Sequence, residues 1–450
     1  MENFDLSKLT ANNSQISIRQ QLKFVWILSV PGILAQISSV LMQYIDAAMV
    51  GYLGANASAS IGLVAPATWV IGGLIHAIGV GFTVQVAHVV GDGKKEQAKN
   101  ILCQGILICL LFSIVMAAFS WGIHKRLPVW LGASKEIQSD ASFYFLIFGL
   151  SSPFFEMVYL MSGMLQCSGN MRLPGILNAL MCLFDIAFNW IFIYGLKMGV
   201  RGAALGSAAS AVVIAAIITW LTLYKSEYLN LRGFKGFFWD CTCISKGIKI
   251  AVPVGVQNAA FSGALVIVSG IIAPLGAVAL AANSFATTAE SICYMPGYGI
   301  QEAATTLIGQ SYGAKRKDLI RSFSWITVLA GMGVMALLGI VMYFICPFMF
   351  SLITPEKSIQ LLATKVLRIE LIAEPLFGAA IVCNGALRGK GDTLIPSILN
   401  LFSLWVVRLG LSLWLVKPFG LTGIWIAMAA ELCFRGIILL IRLDTSVSKG

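Results

Sequence analysis

Much of the first half of this 450-residue chain returns, in order, about 222 positions later. Pro31 in SVPGILAQ comes back as Pro253 in AVPVGVQ, and Leu53-Gly54-Ala55 as Leu275-Gly276-Ala277. Gly169, Pro174, Ile176, Leu177 and Asn178 come back as Gly391, Pro396, Ile398, Leu399 and Asn400. The register slips by one at Gly199 and Gly202 against Gly420 and Gly423, and by four between Gly79 and Gly297, slips of a size that loops would absorb. One such match arises by chance, whereas the ordered set does not. In an apolar chain, a duplicated bundle points to a transporter rather than to an enzyme.

The composition fixes the solvent. Hydrophobic residues make up 58% of the chain and charged residues 11%, with a mean hydropathy of +0.85, far from a soluble domain. Runs such as Ile101 to Trp121, Ile326 to Ile345 and Ile424 to Ile441 approach or pass the length needed to cross about 30 Å of hydrocarbon as a helix. Twelve spans are expected, at 22–50, 59–90, 98–123, 138–167, 173–195, 200–224, 246–273, 277–311, 318–346, 357–387, 393–416 and 419–442. The runs are continuously apolar rather than alternating, which excludes β-barrel strands.

Charge placement orients the spans. Of the 31 Lys and Arg, 20 lie at the N-terminus, the even-to-odd loops and the C-terminus, seven lie at the opposite loops, and Lys365, Arg368, Arg408 and Arg435 lie within spans. Positive residues stay cytoplasmic, so both termini are expected in the cytoplasm. An even count of six spans per half makes the repeats parallel. The expected class is therefore an all-α integral membrane protein with twelve transmembrane helices in two parallel-repeat six-helix lobes. Residues 1–224 form the N-terminal lobe, 225–245 a cytoplasmic linker, and 246–450 the C-terminal lobe. The net charge of +11 follows from this topology and is no sign of nucleic-acid binding. The polar start MENFDLSKLTANNSQ carries no short apolar region with a cleavage site, so a removable signal peptide is not expected. The basic, aromatic linker YKSEYLNLRGFKGFFWDCTCISK is expected along the inner membrane surface. The ten Cys, mostly within spans, are expected as free thiols; Cys241-x-Cys243 is too close for zinc spacing.

A carboxylate in a span costs about 2.5–3.5 kcal/mol on insertion scales, so each demands a reason. Eight occur: Asp46, Glu156, Asp185, Glu290, Glu302, Glu370, Glu374 and Glu431. Glu431 precedes Arg435 by four residues, the spacing of a helix-face ion pair. Glu370 is two residues from Arg368, on the wrong face, so a partner would come from another helix. Asp46 has Val268 as its repeat mate, and Asp185 and Asn189, four apart on one helix face, have apolar mates near Val407 and Leu411. Packing at these positions therefore does not require polarity. The cluster reads either as buried acids that are merely hydrogen-bonded, or as an ion site in the first half only. Oxygen ligands of this kind replace the hydration shell of Na⁺, and a desolvated carboxylate can instead carry H⁺. Glu156 and Glu374 flank the repeat-related Pro153 and Pro375, where a kink frees a backbone carbonyl. Glu290 precedes Pro296 and Gly297. With Gln257, these three acids are candidate contacts for a cationic substrate, beside the reading of satisfied acids in bent helices. Gly79-Val-Gly81 and Gly297-Tyr-Gly299 lie inside spans, where close helix packing explains them better than nucleotide binding. The three His show no metal or triad spacing, and no Walker motif is present.

With these residues in hand, the chain resembles the multidrug and toxic compound extrusion (MATE) family over essentially its whole length. YIDAAMVGYLG is similar to its first-span signature, FIYGLKMGVRGAALGSAAS to its span-five to span-six stretch, MPGYGIQEAATTLIGQSYGAK to its span-eight signature, and GALRGKGDT to the loop after span ten. The resemblance implies two six-helix lobes and cation-driven export of small organic, often cationic, compounds across the plasma (inner) membrane. No cofactor beyond the coupling ion, Na⁺ or H⁺, is expected, and the chain is expected as a monomer in the lipid bilayer. The resemblance also implies a cation site at Asp46, Asp185, Asn189 and Ser207, with the span-five Asp and Asn exchanged relative to the family; where the ion is Na⁺, Asp46 and Asp185 are its expected holders. Acids that some members carry in spans seven and ten match Phe261 and Phe377 here, which argues against a C-lobe ion site of that kind. The alternative is a flippase for a lipid-linked precursor of related fold; a membrane-embedded enzyme finds no constellation in the sequence.

Overall fold

A computed structural model describes residues 16–234 and 236–449; the N-terminal segment 1–15 and Lys235 of the linker, both used in the charge argument above, lie outside the described residues. Among these residues there is no strand, and apart from the four-residue turn Leu127–Trp130 the helices group into twelve segments in two sets of six. The first set is α1 Ile18–Gly51, α2 Ala55–Gly91, α3 Lys95–Ile123, α4 (Lys135–Leu150 with Ser152–Cys167), α5 Arg172–Gly195 and α6 Val200–Lys225. The second is α7 Cys241–Leu275, α8 Ala277–Gly313, α9 Lys317–Ile353, α10 (Lys357–Glu370 with Glu374–Gly389), α11 Leu394–Phe419 and α12 Leu421–Lys449. Nine of these are long and apolar enough to cross a bilayer, and the pair in α4, bent by 45°, makes a tenth. The two remaining segments, α8 and α10, carry Glu290, Glu302, Glu370 and Glu374, the polar content that lowers their hydropathy.

The duplication is written into the backbone. Gly54 and Gly276 both adopt left-handed φ, 108° and 94°, at the turn entering α2 and α8. Gly169 and Gly391 do the same at 97° and 83°, conformations that glycine reaches without a Cβ clash. Helix α4 breaks after Leu150 and α10 after Glu370, and in each case a proline enters the first turn of the following helix, where its missing N–H costs nothing. One sequence expectation needs correction. The four-residue slip between Gly79 and Gly297 is not taken up by a loop, because α2 and α8 are both uninterrupted helices of 37 residues at the same offset. The two glycine pairs therefore sit about one helical turn apart on equivalent helices.

Those glycines mark close backbone crossings. A Cβ on Gly81 would lie 2.3 Å from the carbonyl oxygen of Gly247 in α7, and one on Gly32 of α1 would lie 2.8 Å from that of Gly299 in α8. Compact packing divides the chain within α1 and α7, after residues 37 and 259. The first unit comprises residues 38–259, and the second the described residues 16–37 with 260–449. The core of the first unit joins Phe82 and Val86 of α2, Leu102 of α3, Met161 and Leu165 of α4, and Ile214 of α6. In the second unit Trp425 is 1% exposed and its indole donates to Asn283 Oδ1 at 3.0 Å. Because Gly81 faces rigid backbone, Gly81→Ala is expected to destabilise the protein by about 1–3 kcal/mol, the usual cost of overpacking. Gly62→Ala, with nothing within 4 Å, is the control. Melting temperatures of both variants in one detergent check the contrast.

Candidate cation site

Four side chains expected at one site come from three helices of the first unit. Asp46 lies in the last third of α1, Asp185 and Asn189 in α5, and Ser207 in α6. The four-residue spacing in α5 does as helical geometry demands, setting Asp185 and Asn189 one above the other. Asn189 Nδ2 donates to Asp185 Oδ2 at 2.9 Å and, across to α1, to Asp46 Oδ1 at 2.8 Å. Those two carboxylate oxygens are therefore no more than 5.7 Å apart, the sum of 2.8 and 2.9 Å. Asp185 is fully buried, Asn189 is 1% exposed and Asp46 is half-buried.

The hydroxyl that reaches the acids is one the sequence reading missed. Ser210 Oγ lies 3.4 Å from Asp185 Oδ1 and also donates to the carbonyl oxygen of Ser207 at 2.9 Å. Ser207 thus stands one turn from the contact. The signal was present in the sequence, since Ser207 and Ser210 are three apart on one helix face.

Local backbone shapes the pocket. Directly after Asn189, α5 widens into a π-helical stretch, Trp190–Gly195, a deviation that often lies beside functional residues. Tyr194, within this stretch, donates its hydroxyl to the Met49 carbonyl at 2.9 Å, tying α5 to the end of α1. On the other side Gly206 gives Asn189 its room: a Cβ there would lie 1.9 Å from Asn189 Oδ1. That oxygen is buried and has no hydrogen-bond partner. Two carboxylates, an amide and a hydroxyl thus converge with an amide oxygen left over, a donor set of hard oxygens that suits a cation such as Na⁺. No group of three or more His, Cys, Asp or Glu gathers as a metal centre among the described residues.

The candidate substrate contacts are divided between the units. Glu156 and Gln257 belong to the first, Glu290 and Glu374 to the second. Glu156 and Glu374 are fully buried; Glu156 lies beside the Cys109 thiol and packs against Gly79, where a Cβ would lie 3.3 Å from its Oε1, and the Glu374 carboxylate finds no hydrogen bond. Glu290 is 3% exposed and Gln257 is half-buried. Elsewhere, Glu431 pairs with Arg435 at 3.1 Å, the i,i+4 contact that their spacing foretold, and Glu302 stands 3.8 Å from Arg388.

Comparison with known proteins agrees with this architecture. The MatE family pattern matches twice, over residues 31–191 and again over 253–414. The chain belongs to the MatE family. The two matches begin at Pro31 and Pro253, the residues with which the repeat opens. The probable multidrug resistance protein NorM of Thermotoga maritima is 27% identical over 426 residues, covering 92% of this chain and 90% of the relative. Among solved structures, an outward-facing multidrug resistance MATE family transporter of the MOP superfamily superposes with a TM-score of 0.91 at 20% identity, over 100% of this chain and 99% of that one. The Vibrio cholerae MATE transporter VcmN in its bent form gives 0.88 at 20% identity, over 97% and 99%. At such identity these structures speak for the fold.

The Asn189 bridge generates a prediction. Gly206→Ala is expected to push the amide off both carboxylates and destabilise the chain by about 1–3 kcal/mol, the cost of buried polar groups left unpaired. Asn189→Ala in the same chain is expected to remove the side-chain part of the clash, leaving only the Asn189 backbone nitrogen at 2.9 Å, so that the double variant melts above the sum of the single effects. Strict additivity in a double-mutant cycle would contradict the contact.

Proposed function

We propose that this protein is a secondary active multidrug exporter that antiports small organic, often cationic, compounds against Na⁺ by alternating access, in a plasma (inner) membrane with both termini cytoplasmic. It works as a monomer whose lobes, 1–224 and 246–450, are joined by the linker 225–245. The observation that carries the reading is the bridge from Asn189 to Asp46 and Asp185. Two carboxylates this close in an apolar span cannot both stay charged without a counter-charge, and a bound cation supplies one. The family membership and the multidrug resistance named for the Thermotoga maritima relative support the export direction. Alternating access draws support from similar proteins solved in differently described conformations, outward-facing for one and bent for another.

The residues divide the work. Asp46 and Asp185 supply charge, Ser210 or the Ser207 turn supplies a neutral oxygen, and Asn189 is the adjustable member. Its N–H groups face the acids, so coordination through Oδ1 requires the amide to turn over, which links ion binding to the α1–α5 contact. An ion drives transport only if it binds one conformation better than the other. Glu156, Gln257, Glu290 and Glu374 are the proposed contacts for the organic cation, buried acids in apolar surroundings being suited to a poorly hydrated positive charge.

Asp46→Asn removes charge with little change in volume, so coupled efflux is expected to fall by about tenfold or more while membrane insertion and folding persist. Dye efflux from proteoliposomes at fixed pH, with sodium replaced by choline, is expected to collapse in the same way. Undiminished efflux under a proton gradient alone would overturn sodium coupling and leave Asp46 as a proton carrier.

A further inference from the structure

The second unit carries its own buried charge, and its arrangement differs in kind from that in the first. Four carboxylates, Glu290, Glu370, Glu374 and Glu431, are each no more than 3% exposed. Two guanidiniums stand among them. Arg408, 8% exposed, is within electrostatic reach of Glu431, Glu290 and Glu370. Its Nη2 donates to Met428 Sδ at 2.9 Å, while Nε is buried and unpartnered. Arg435 pairs with Glu431 at 3.1 Å and lies 5.3 Å from the centre of the Phe377 ring. Ser403 Oγ donates to the same Glu431 oxygen at 2.6 Å.

The repeat shows what this arginine replaces. Val407 and Leu411 of α11 correspond to Asp185 and Asn189 of α5. With the one-residue slip set by Gly199 and Gly420, Met428 and Glu431 of α12 correspond to Ser207 and Ser210 of α6. The positions of Asp46, Asp185 and Asn189 are thus apolar in the second unit, at Val268, Val407 and Leu411, while Glu431 takes the place of Ser210 and Arg408 follows Val407. Arg408 reaches Met428, the mate of Ser207. A guanidinium keeps its charge in proteins and cannot diffuse away.

We propose that Arg408, with Arg435 beside it, is a built-in cation that fills the second unit's counterpart of the Asp46–Asp185 pocket and keeps that unit from taking up sodium, so that ion coupling is confined to the first unit. The proposal rests on the reading of Asp46 and Asp185 as the ion site, and assigns the asymmetry of the repeat a purpose: one exchangeable ion in a molecule with two homologous halves. Four buried acids against two arginines leave enough negative charge for removal of Arg408 to uncover a vacancy.

Radiolabelled sodium binding to the purified full-length chain tests this. The wild type is expected to hold about one ion, Asp46→Asn close to none, and Asp46→Asn with Arg408→Met about one again. A folded double variant, with wild-type helix content and a single species in gel filtration, that binds no sodium would overturn the proposal. Continued binding by Asp46→Asn alone would instead overturn the first-unit reading, so the two failures are distinguishable. If the double variant does not fold, Glu370→Gln in the wild type decides. Unchanged sodium stoichiometry supports a cluster already filled by arginine, and loss of an ion shows that the second unit binds sodium itself.

Discussion

Everything proposed for this protein depends on one side-chain amide holding two carboxylates together inside an apolar bundle. Asn189 spends N–H groups on Asp46 and Asp185, and in hydrocarbon there is no water to take over if the amide leaves. The surrounding features serve that contact. Gly206 leaves room for the amide oxygen, the widened turn from Trp190 to Gly195 follows it directly, and Tyr194 fastens that turn to the end of α1. A polar cluster in a low-dielectric interior is stiff when fully satisfied and costly when partly satisfied. Such a cluster responds sharply to the arrival of a single positive charge.

The duplication supplies the scaffold, and departure from it supplies the chemistry. Left-handed turns, helix breaks and paired prolines recur between the halves because they are backbone requirements that any sequence on this fold must meet. The arrangement of buried charge does not recur. In the first unit it is Glu156 and the two acids Asp46 and Asp185 joined by an amide; in the second it is four acids among which stand Arg408 and Arg435, with Glu431 gripped by both Ser403 and Arg435. Burying an ion pair is close to neutral for stability, whereas stripping one partner is costly. The second unit's network is therefore hard to lose once present, while the first unit's acids lack such a covalent counter-charge.

Much of this was legible in the sequence, for reasons that can be named. All twelve segments were visible because long apolar runs and their flanking charges are local signals, even for α8 and α10, whose acids lower their hydropathy. Asp185 and Asn189 were legible because i,i+4 spacing fixes a shared face without tertiary information. The choice between Ser207 and Ser210 was not, because both lie on the right face of α6 and only the packing of α5 decides which turn reaches Asp185. The division within α1 and α7 was hidden for a similar reason. It reflects packing between residues far apart in the chain, of which the close approaches of Gly32 to Gly299 and of Gly81 to Gly247 are two examples. The offset of the glycine pairs misled because a helix can carry its close contact one turn earlier without any insertion.

Antiport of the proposed kind requires that ion and organic cation oppose each other's binding, and linkage makes that opposition reciprocal. The most direct measurement is the dissociation constant of a fluorescent organic cation on the purified protein as sodium is raised at constant ionic strength. The account predicts that affinity for the dye weakens with sodium by about 5–150-fold, the usual range of coupling between sites, and that Asp46→Asn flattens the dependence. Dye affinity that ignores sodium and pH alike in the wild type would contradict coupling through the Asp46–Asp185 pocket.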